Sequence, residues 1–323
     1  MSLSEFELID RFFRRPVRQA TLGIGDDAAL IGPAAGCELA ISTDMLVEGR
    51  HFFPDADPES LGHKTLAVNL SDLAAMGARP RWAFLACALA SADPAWLEAF
   101  ARGFFALADA HAVELIGGDT TRGPLNLCVT IVGEVPAGEA LLRSGARPGD
   151  AIYVSGALGD AALGLAHCRG HLALSSEEIA RCDAALSRPT PRVALGQRLR
   201  GIATAAIDVS DGLMGDLGHV VEASRAGATI DLAALPRSPA LDRRLVGAER
   251  ALALECLLAG GDDYELCFTA PPGAAAKLQA LSVELGVALA RIGTIEARGG
   301  IVVRDEHGRA LATAPRAFDH FRE

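Results

Sequence analysis

Lysine is almost missing from this 323-residue chain, in which only Lys64 and Lys277 occur. The net charge is −11, so the surface lacks the positive excess that draws proteins to phosphate backbones, and nucleic acid is excluded as the main partner. Aromatic residues make up only 5% of the chain, and alanine and leucine must fill the core instead. No apolar run approaches the roughly 20 residues of a membrane helix. The opening "MSLSEFELIDRFFRR" carries acids where a signal peptide would carry a basic and then an apolar stretch. A soluble cytoplasmic protein without a membrane partner is expected. The seven cysteines lie far apart, with no CxxC pair and no zinc-type spacing, which reads as reduced core thiols.

Familiar phosphate and nucleophile motifs are missing too. There is no GxxxxGK[ST], which excludes a P-loop, and no GxSxG elbow. "GIGDDA" (23–28) fits a relaxed dinucleotide pattern, but the preceding "QATL" is too weak a strand. Its two carboxylates would also repel a pyrophosphate.

The chain is long enough for two domains. "LSEFELIDRFF" has helical periodicity, with Ser4 and Glu7 spaced as a capping box. "CELAISTD" reads as a strand ending at Asp44. Asp57 and Pro58 open a helix to about Met76, and Asp93 and Pro94 open another to about His111. "RWAFLACAL", "VELIGGD" and "LNLCVTIVGEV" are strands. The glycine- and proline-rich stretch 136–150 marks the boundary, giving domains 1–137 and 148–323. Beyond it, strands "AIYVSG" and "TAAIDVSDG" alternate with helices, "ECLLAGGDDYELCFTA" is a helix, a glycine turn and a strand, and a helix with two strands closes the chain. The class is α/β or α+β. "SGALGD" (155–160) reads either as a helix start offering N–H groups to an anion or as plain strand-to-helix packing.

Aspartates mark the strand ends: Asp26, Asp27, Asp44, Asp119, Asp208, Asp211, Asp262 and Asp263. Asp72 differs, lying within the apolar helix "TLAVNLSDLAAMG" one turn after Asn69. Singly, each acid reads equally as a turn former or a cap, and Ser210 or Asp211 would cap the next helix. Together they repel, and hard divalent cations relieve that repulsion. An all-oxygen set with Thr43 and Ser210 suits Mg²⁺, and Mg²⁺ held by carboxylates commonly serves phosphates. His51, Lys64, Arg143 and Arg147 are the bases that such a site would use. Each also has an ordinary reading as a loop, helix-surface or linker residue.

The ordered string "GIGDDAAL", "ISTDMLVEGRHF", "HKTLAVNLSDLAAMGARP", "GGDTTRGP", "RSGARPGD", "AIDVSDGLMGDLGH" and "GGDDYELCFT" resembles the thiamine-monophosphate kinase family, in the aminoimidazole ribonucleotide synthetase superfamily. The likeness runs from about residue 5 to the closing "FDHF". It implies a two-domain ATP-binding fold. The N-terminal domain would carry a mixed sheet with helices, bind ATP and Mg²⁺ and pair into a homodimer. The C-terminal α/β domain would complete the cleft. It also implies transfer of the ATP γ-phosphate, directly and in line, to thiamine phosphate, with several Mg²⁺ ions. Asp27, Ser42, Thr43, Asp44, Asp72, Asp119, Asp208 and Asp211 match the family's metal positions. Gly118, Asp119, Arg143 and Ser210 match its nucleotide contacts. His51, Asp262 and Phe318 match positions near thiamine phosphate, and the family often has Glu in place of Asp262. The catalytic set is Asp27, Asp72, Asp208, Asp211 and Arg143.

Other branches of the superfamily fit less well. A selenophosphate synthetase-like enzyme expects a reactive cysteine near the amino terminus, whereas the first here is Cys37. A hydrogenase-maturation relative expects a closing cysteine, and this chain closes "DHFRE". A nucleotide- or metal-binding protein without turnover is the reading from another class.

Overall fold

The structure is a computed structural model that describes residues 4–311. It divides into two compact units: the chain up to Leu73 with Ala78–Gly138, and Ala74–Gly77 with the chain from Glu139 onward.

The first unit begins with α1 (Glu5–Leu8), which runs into a π-helical turn, Ile9–Phe13. The expected capping box forms, with the Ser4 N–H donating to Glu7 Oε2 at 2.8 Å and the Glu7 N–H donating to Ser4 Oγ at 3.4 Å. Strand β1 (Cys37–Val47), helix α2 (Pro58–Ala75), strand β2 (Arg79–Leu89), helix α3 (Pro94–Ala110), and strands β3 (Glu114–Arg122) and β4 (Asn126–Pro136) follow. Asp57 and Asp93 cap α2 and α3, accepting the N–H groups of Ser60 at 2.8 Å and Ala95 at 3.0 Å. The strands order as β1-β4-β2-β3, with β2 and β3 parallel and the other pairs antiparallel.

Helix α2 packs tightly on α3 at two glycines. A Cβ on Gly62 would stand 2.1 Å from the Phe100 carbonyl oxygen, and one on Gly103 would stand 1.8 Å from that of Glu59. Such contacts let two backbones approach in a way no larger residue allows. Along β1, Ala40, Ser42, Asp44 and Leu46 turn inward, while Leu39, Ile41, Thr43 and Met45 are exposed. Elsewhere on the sheet, Trp82, Ile116 and Val132 form a small core with Val17, Ala20, Ala29 and Ile31 from the N-terminal segment.

The second unit carries β5 (Ala151–Ser155), α4 (Asp160–Cys168), α5 (Ser176–Ser187), α6 (Val193–Leu199), β6 (Ala205–Val209), α7 (Leu213–Ser224), β7 (Gly227–Asp231), α8 (Pro239–Arg244), α9 (Arg250–Ala259), β8 (Glu265–Ala270), α10 (Ala275–Leu285), β9 (Leu289–Glu296) and β10 (Ile301–Arg304). Its sheet runs β10-β7-β9-β5-β8-β6, antiparallel throughout except for the β10–β7 pair. Every residue of β5, β8 and the edge strand β6 is buried, so this end of the sheet is covered on both faces. Strand β7 is an element that sequence patterning does not reveal. It is short, and its "GATID" lacks a clear apolar alternation.

All seven cysteines are free. Cys87, Cys182, Cys256 and Cys267 are buried, and burial pushes each thiol up to about 12, which makes them poor nucleophiles. Cys168 is exposed and departs from the core-thiol expectation. No helix among the described residues is long and apolar enough to cross a membrane.

Candidate active site

In the first unit, α2 reaches β1 with two side chains on one face. Asp72 Oδ2 accepts the hydroxyl of Ser42. Asn69 Oδ1 accepts the backbone N–H of Asp44 at 3.2 Å, while its Nδ2 donates to the Thr65 carbonyl at 3.2 Å. Asn69 is fully buried, and so is Lys64 at 4% exposure. Lys64 therefore lies within the packing of α2, not on its surface. Ser42 and Asp44 share the inner face of β1, and Asp72 reaches that face through its bond to Ser42. The Thr43 hydroxyl points to the other face and bonds Thr130 Oγ1 at 2.8 Å.

Asp119 stands across the sheet on β3, in the row next to Asp44. Three strand spacings put the two about 14 Å apart along the sheet. Gly118 holds φ +147°, and a Cβ there would sit 1.9 Å from the Leu85 carbonyl oxygen, so only glycine fits before Asp119. Asp26 and Asp27 are exposed on a loop closed by a bridge between Leu22 and Leu30. The Asp27 N–H donates to Asp26 Oδ1 at 2.9 Å, so Asp26 shapes the turn that presents Asp27. The His51 Nδ1 accepts the Val47 N–H at 3.0 Å, which leaves the ring proton on Nε2.

In the second unit, two acidic loops lie against each other. One follows β6, which itself carries Asp208, and holds Ser210 and Asp211; the other precedes β8 and holds Asp262 and Asp263. The Asp262 N–H donates to the Ser210 carbonyl at 2.9 Å, and the Tyr264 N–H donates to that of Val209 at 2.8 Å. Asp208 is buried at 4% exposure, whereas Asp211 is exposed. Arg143 and Arg147 are exposed on the 143–147 turn. Ser224 Oγ pins that turn, accepting from the Gly145 N–H at 3.2 Å and the Ala146 N–H at 3.1 Å.

Two readings left open by the sequence are decided here. Neither Ser210 nor Asp211 caps α7, whose N-cap is Gly212. Instead the first-turn acid Asp216 folds back, and its Oδ2 accepts the N–H groups of Ser210 at 3.0 Å and Asp211 at 3.1 Å. Burial, then the neighbouring Asp211 charge, push Asp216 up to about 7. The start of α4 does not present its first N–H to an outside anion. Gly159 gives it to both oxygens of Asp263, at 2.8 and 3.0 Å, and burial raises that carboxyl well above its usual range. Asp216 was legible only as an acid in a first helical turn. Glu265, just after the second acidic loop, accepts from Ser155 Oγ and from Arg192 Nε at 2.7 Å. Nothing local in the sequence marks that pairing. Phe318 lies outside the described residues.

The donors suit a hard divalent cation, being all oxygen. Among the described residues no three His, Cys, Asp or Glu side chains make a ready metal cage.

Family models match both units, as "AIR synthase related protein, N-terminal domain" over residues 25–135 and "AIR synthase related protein, C-terminal domain" over 147–306. The chain is 50% identical to the thiamine-monophosphate kinase of Salmonella typhimurium over 99% of both chains. Its fold matches the crystal structure of that kinase from Stenotrophomonas maltophilia with a TM-score of 0.84 at 50% identity, over 96% of this chain and 99% of the other. A structure described as AaThiL complexed with AMPPCP and TMP matches with a TM-score of 0.76 at 29% identity, over 90% and 89% of the two chains.

Proposed function

This chain belongs to the AIR synthase related family and, within it, to the thiamine-monophosphate kinases; from that premise we propose how its residues carry the reaction. It is an ATP-dependent phosphotransferase that converts thiamine phosphate to thiamine diphosphate, and both of its substrates are anionic. The acceptor is already a phosphate, so no strong base is needed to activate it. The difficulty is to bring two polyanions together and in line.

The acidic residues answer that difficulty. Asp27, Ser42, Thr43, Asp44, Asp72 and Asp119 from the first domain (1–137), and Asp208 and Asp211 from the second (148–323), would hold Mg²⁺. When bound, the ions neutralise phosphate charge and align donor with acceptor. Asp44 and Asp119 lie a sheet's width apart, which supports more than one ion. Thr43 joins through its backbone, because its hydroxyl is turned to Thr130. Gly118, Asp119 and Ser210 would contact the nucleotide, with the exposed Arg143 guanidinium countering charge on the transferring phosphate. His51 would donate from Nε2 to thiamine phosphate, and Asp262 would face its cationic, donor-bearing rings.

The protein would act in the cytoplasm as a homodimer. Leu39, Ile41 and Met45 project in a row from the edge strand β1, with Ile41 63% and Met45 52% exposed, and an apolar edge of this kind calls for a partner strand. The observation that carries the reading is the hold of α2 on β1, through Asp72 on Ser42 and Asn69 on Asp44. The test is formation of thiamine diphosphate from ATP, Mg²⁺ and thiamine phosphate. Asp72→Asn should abolish it while the fold persists. ATP binding without product in the unaltered protein would move the acceptor to another branch of the family.

A further inference from the structure

The loop before β8 is strained. Asp262 and Tyr264 both hold left-handed backbone, at φ +68° and +49°, although neither is glycine. Left-handed non-glycine residues cost free energy and persist only where their surroundings impose them. Here the imposing contacts are visible. Asp263, between the two, is tied by its carboxylate to the Gly159 N–H. The Asp262 and Tyr264 N–H groups are tied to the carbonyls of Ser210 and Val209. Gly261 packs so closely on the Ser210 carbonyl oxygen that a Cβ would come within 2.4 Å.

This twist brings the side chains of residues 262 and 264 together. The Tyr264 ring is buried, at 8% exposure, and its hydroxyl donates to Asp262 Oδ1 at 3.0 Å. In an extended strand, residues two apart share a face but do not fold back to meet in this way. The strain therefore produces a defined pair: a rigid, buried phenol holding one oxygen of a half-buried carboxylate.

We propose that Tyr264 is a positioning residue for substrate recognition: its hydroxyl fixes the rotamer of Asp262, so that the other carboxylate oxygen is presented to thiamine phosphate. The inference rests on the reading of Asp262 as a substrate contact. A short acid has little reach, and a fixed orientation compensates for it. Tyr264 itself would touch no reacting atom. It would act on the affinity for thiamine phosphate and not on ATP.

A double-substitution cycle with Tyr264→Phe and Asp262→Ala tests this in the full-length protein. Phe keeps the ring and its packing, and thermal unfolding checks that each variant folds. Tyr264→Phe should raise KM for thiamine phosphate about tenfold, the scale of one lost hydrogen bond to a charged group, with KM for ATP and kcat changed less than about twofold. In the Asp262→Ala background the same change should have less than about a twofold effect, because the group it orients is gone. Equal, independent effects in both backgrounds would overturn the proposal. So would an unchanged KM in Tyr264→Phe, or a shift shared by both substrates. If Asp262→Ala alone leaves KM for thiamine phosphate unchanged, the substrate reading of Asp262 falls, and this inference with it.

Discussion

The backbone N–H of Asp211 donates at 3.1 Å to the carboxylate of Asp216, so an exposed acid is positioned by a buried one five residues later. The same Asp216 oxygen also holds the Ser210 N–H at 3.0 Å. A single acceptor thus shapes the turn that carries a proposed metal residue and a proposed nucleotide contact. Asp216→Asn keeps an acceptor oxygen, whereas Asp216→Ala leaves two N–H groups to find other partners. Asp216→Ala should lose about 2 kcal/mol of stability, the cost of orphaned buried donors, and should weaken Mg²⁺-dependent nucleotide binding in calorimetry. Asp216→Asn should bind almost normally. Equal binding by both variants would show that the turn holds its shape without this acceptor.

Asp216 also predicts a pH effect in metal-free protein. Its folded pKa, about 7, stands above the ordinary 3.8. Between these values the folded state keeps a proton that the unfolded state has lost. Stability therefore falls as pH rises from about 4 to about 7 and stays low above that. Melting temperatures across this range should show a shallower decline in Asp216→Asn than in the unaltered chain. Parallel curves would contradict the assignment.

Glu178 gives the opposite sign. Its carboxylate accepts from Arg244 at 2.6 Å, from the Ser175 N–H at 2.8 Å and from Arg243 at 2.8 Å, which holds it well below its ordinary 4.5, the Arg244 bond contributing most. This stabilisation is full above pH 4.5 and is lost as pH falls below it toward the folded pKa. Glu178→Gln should cost about 2 kcal/mol at neutral pH, since Arg243 and Arg244 lose their shared carboxylate while Arg244 keeps Glu249. It should also flatten the acid limb of the unfolding profile. A variant that loses stability equally at pH 3 and pH 7 would mean that packing, not charge, is what Glu178 supplies.

Asn69 is buried at 0% exposure and bonded to the Asp44 N–H and the Thr65 carbonyl. Asn69→Ala should destabilise the protein by about 1–3 kcal/mol and lower thiamine diphosphate formation, because Asp44 loses its clamp. Asn69→Leu, which refills the volume, should recover stability but not activity. Recovery of both would reduce Asn69 to a packing role.

The exposed row on β1 predicts the oligomeric state. Ile41→Lys places a charge in the middle of the proposed dimer seam and should give a monomer in sedimentation equilibrium, with the fold retained by circular dichroism. A dimer that survives the change would put the seam elsewhere.

Much of this molecule can be read from local sequence, because the forces involved are local. Ser4 with Glu7, Asp57 with Pro58, and Asp93 with Pro94 mark helix starts through bonds spanning two or three residues. Sequence reading puts Thr43 in one oxygen set with Ser42 and Asp44, and strand alternation turns its hydroxyl to the other face. The seven ordered motifs named the family, whereas Asp44 and Asp119, read as strand ends, lie inside β1 and β3.

Tertiary structure alone decided which acids are presented and which are consumed. Asp211 and Asp216 look alike in "SDGLMGD", yet one is exposed and the other buried as the acceptor for the turn. Asp262 and Asp263 are neighbours, yet one shares a hydrogen bond with Tyr264 and the other closes the start of α4, more than 100 residues earlier. Glu265 meets Arg192 and Ser155 across gaps of 73 and 110 residues. Sequence fixes which residues can ionise. Its environment, and with it its pKa, its partners and its exposure, comes from chain segments that only folding brings together, and these set what each carboxylate can do.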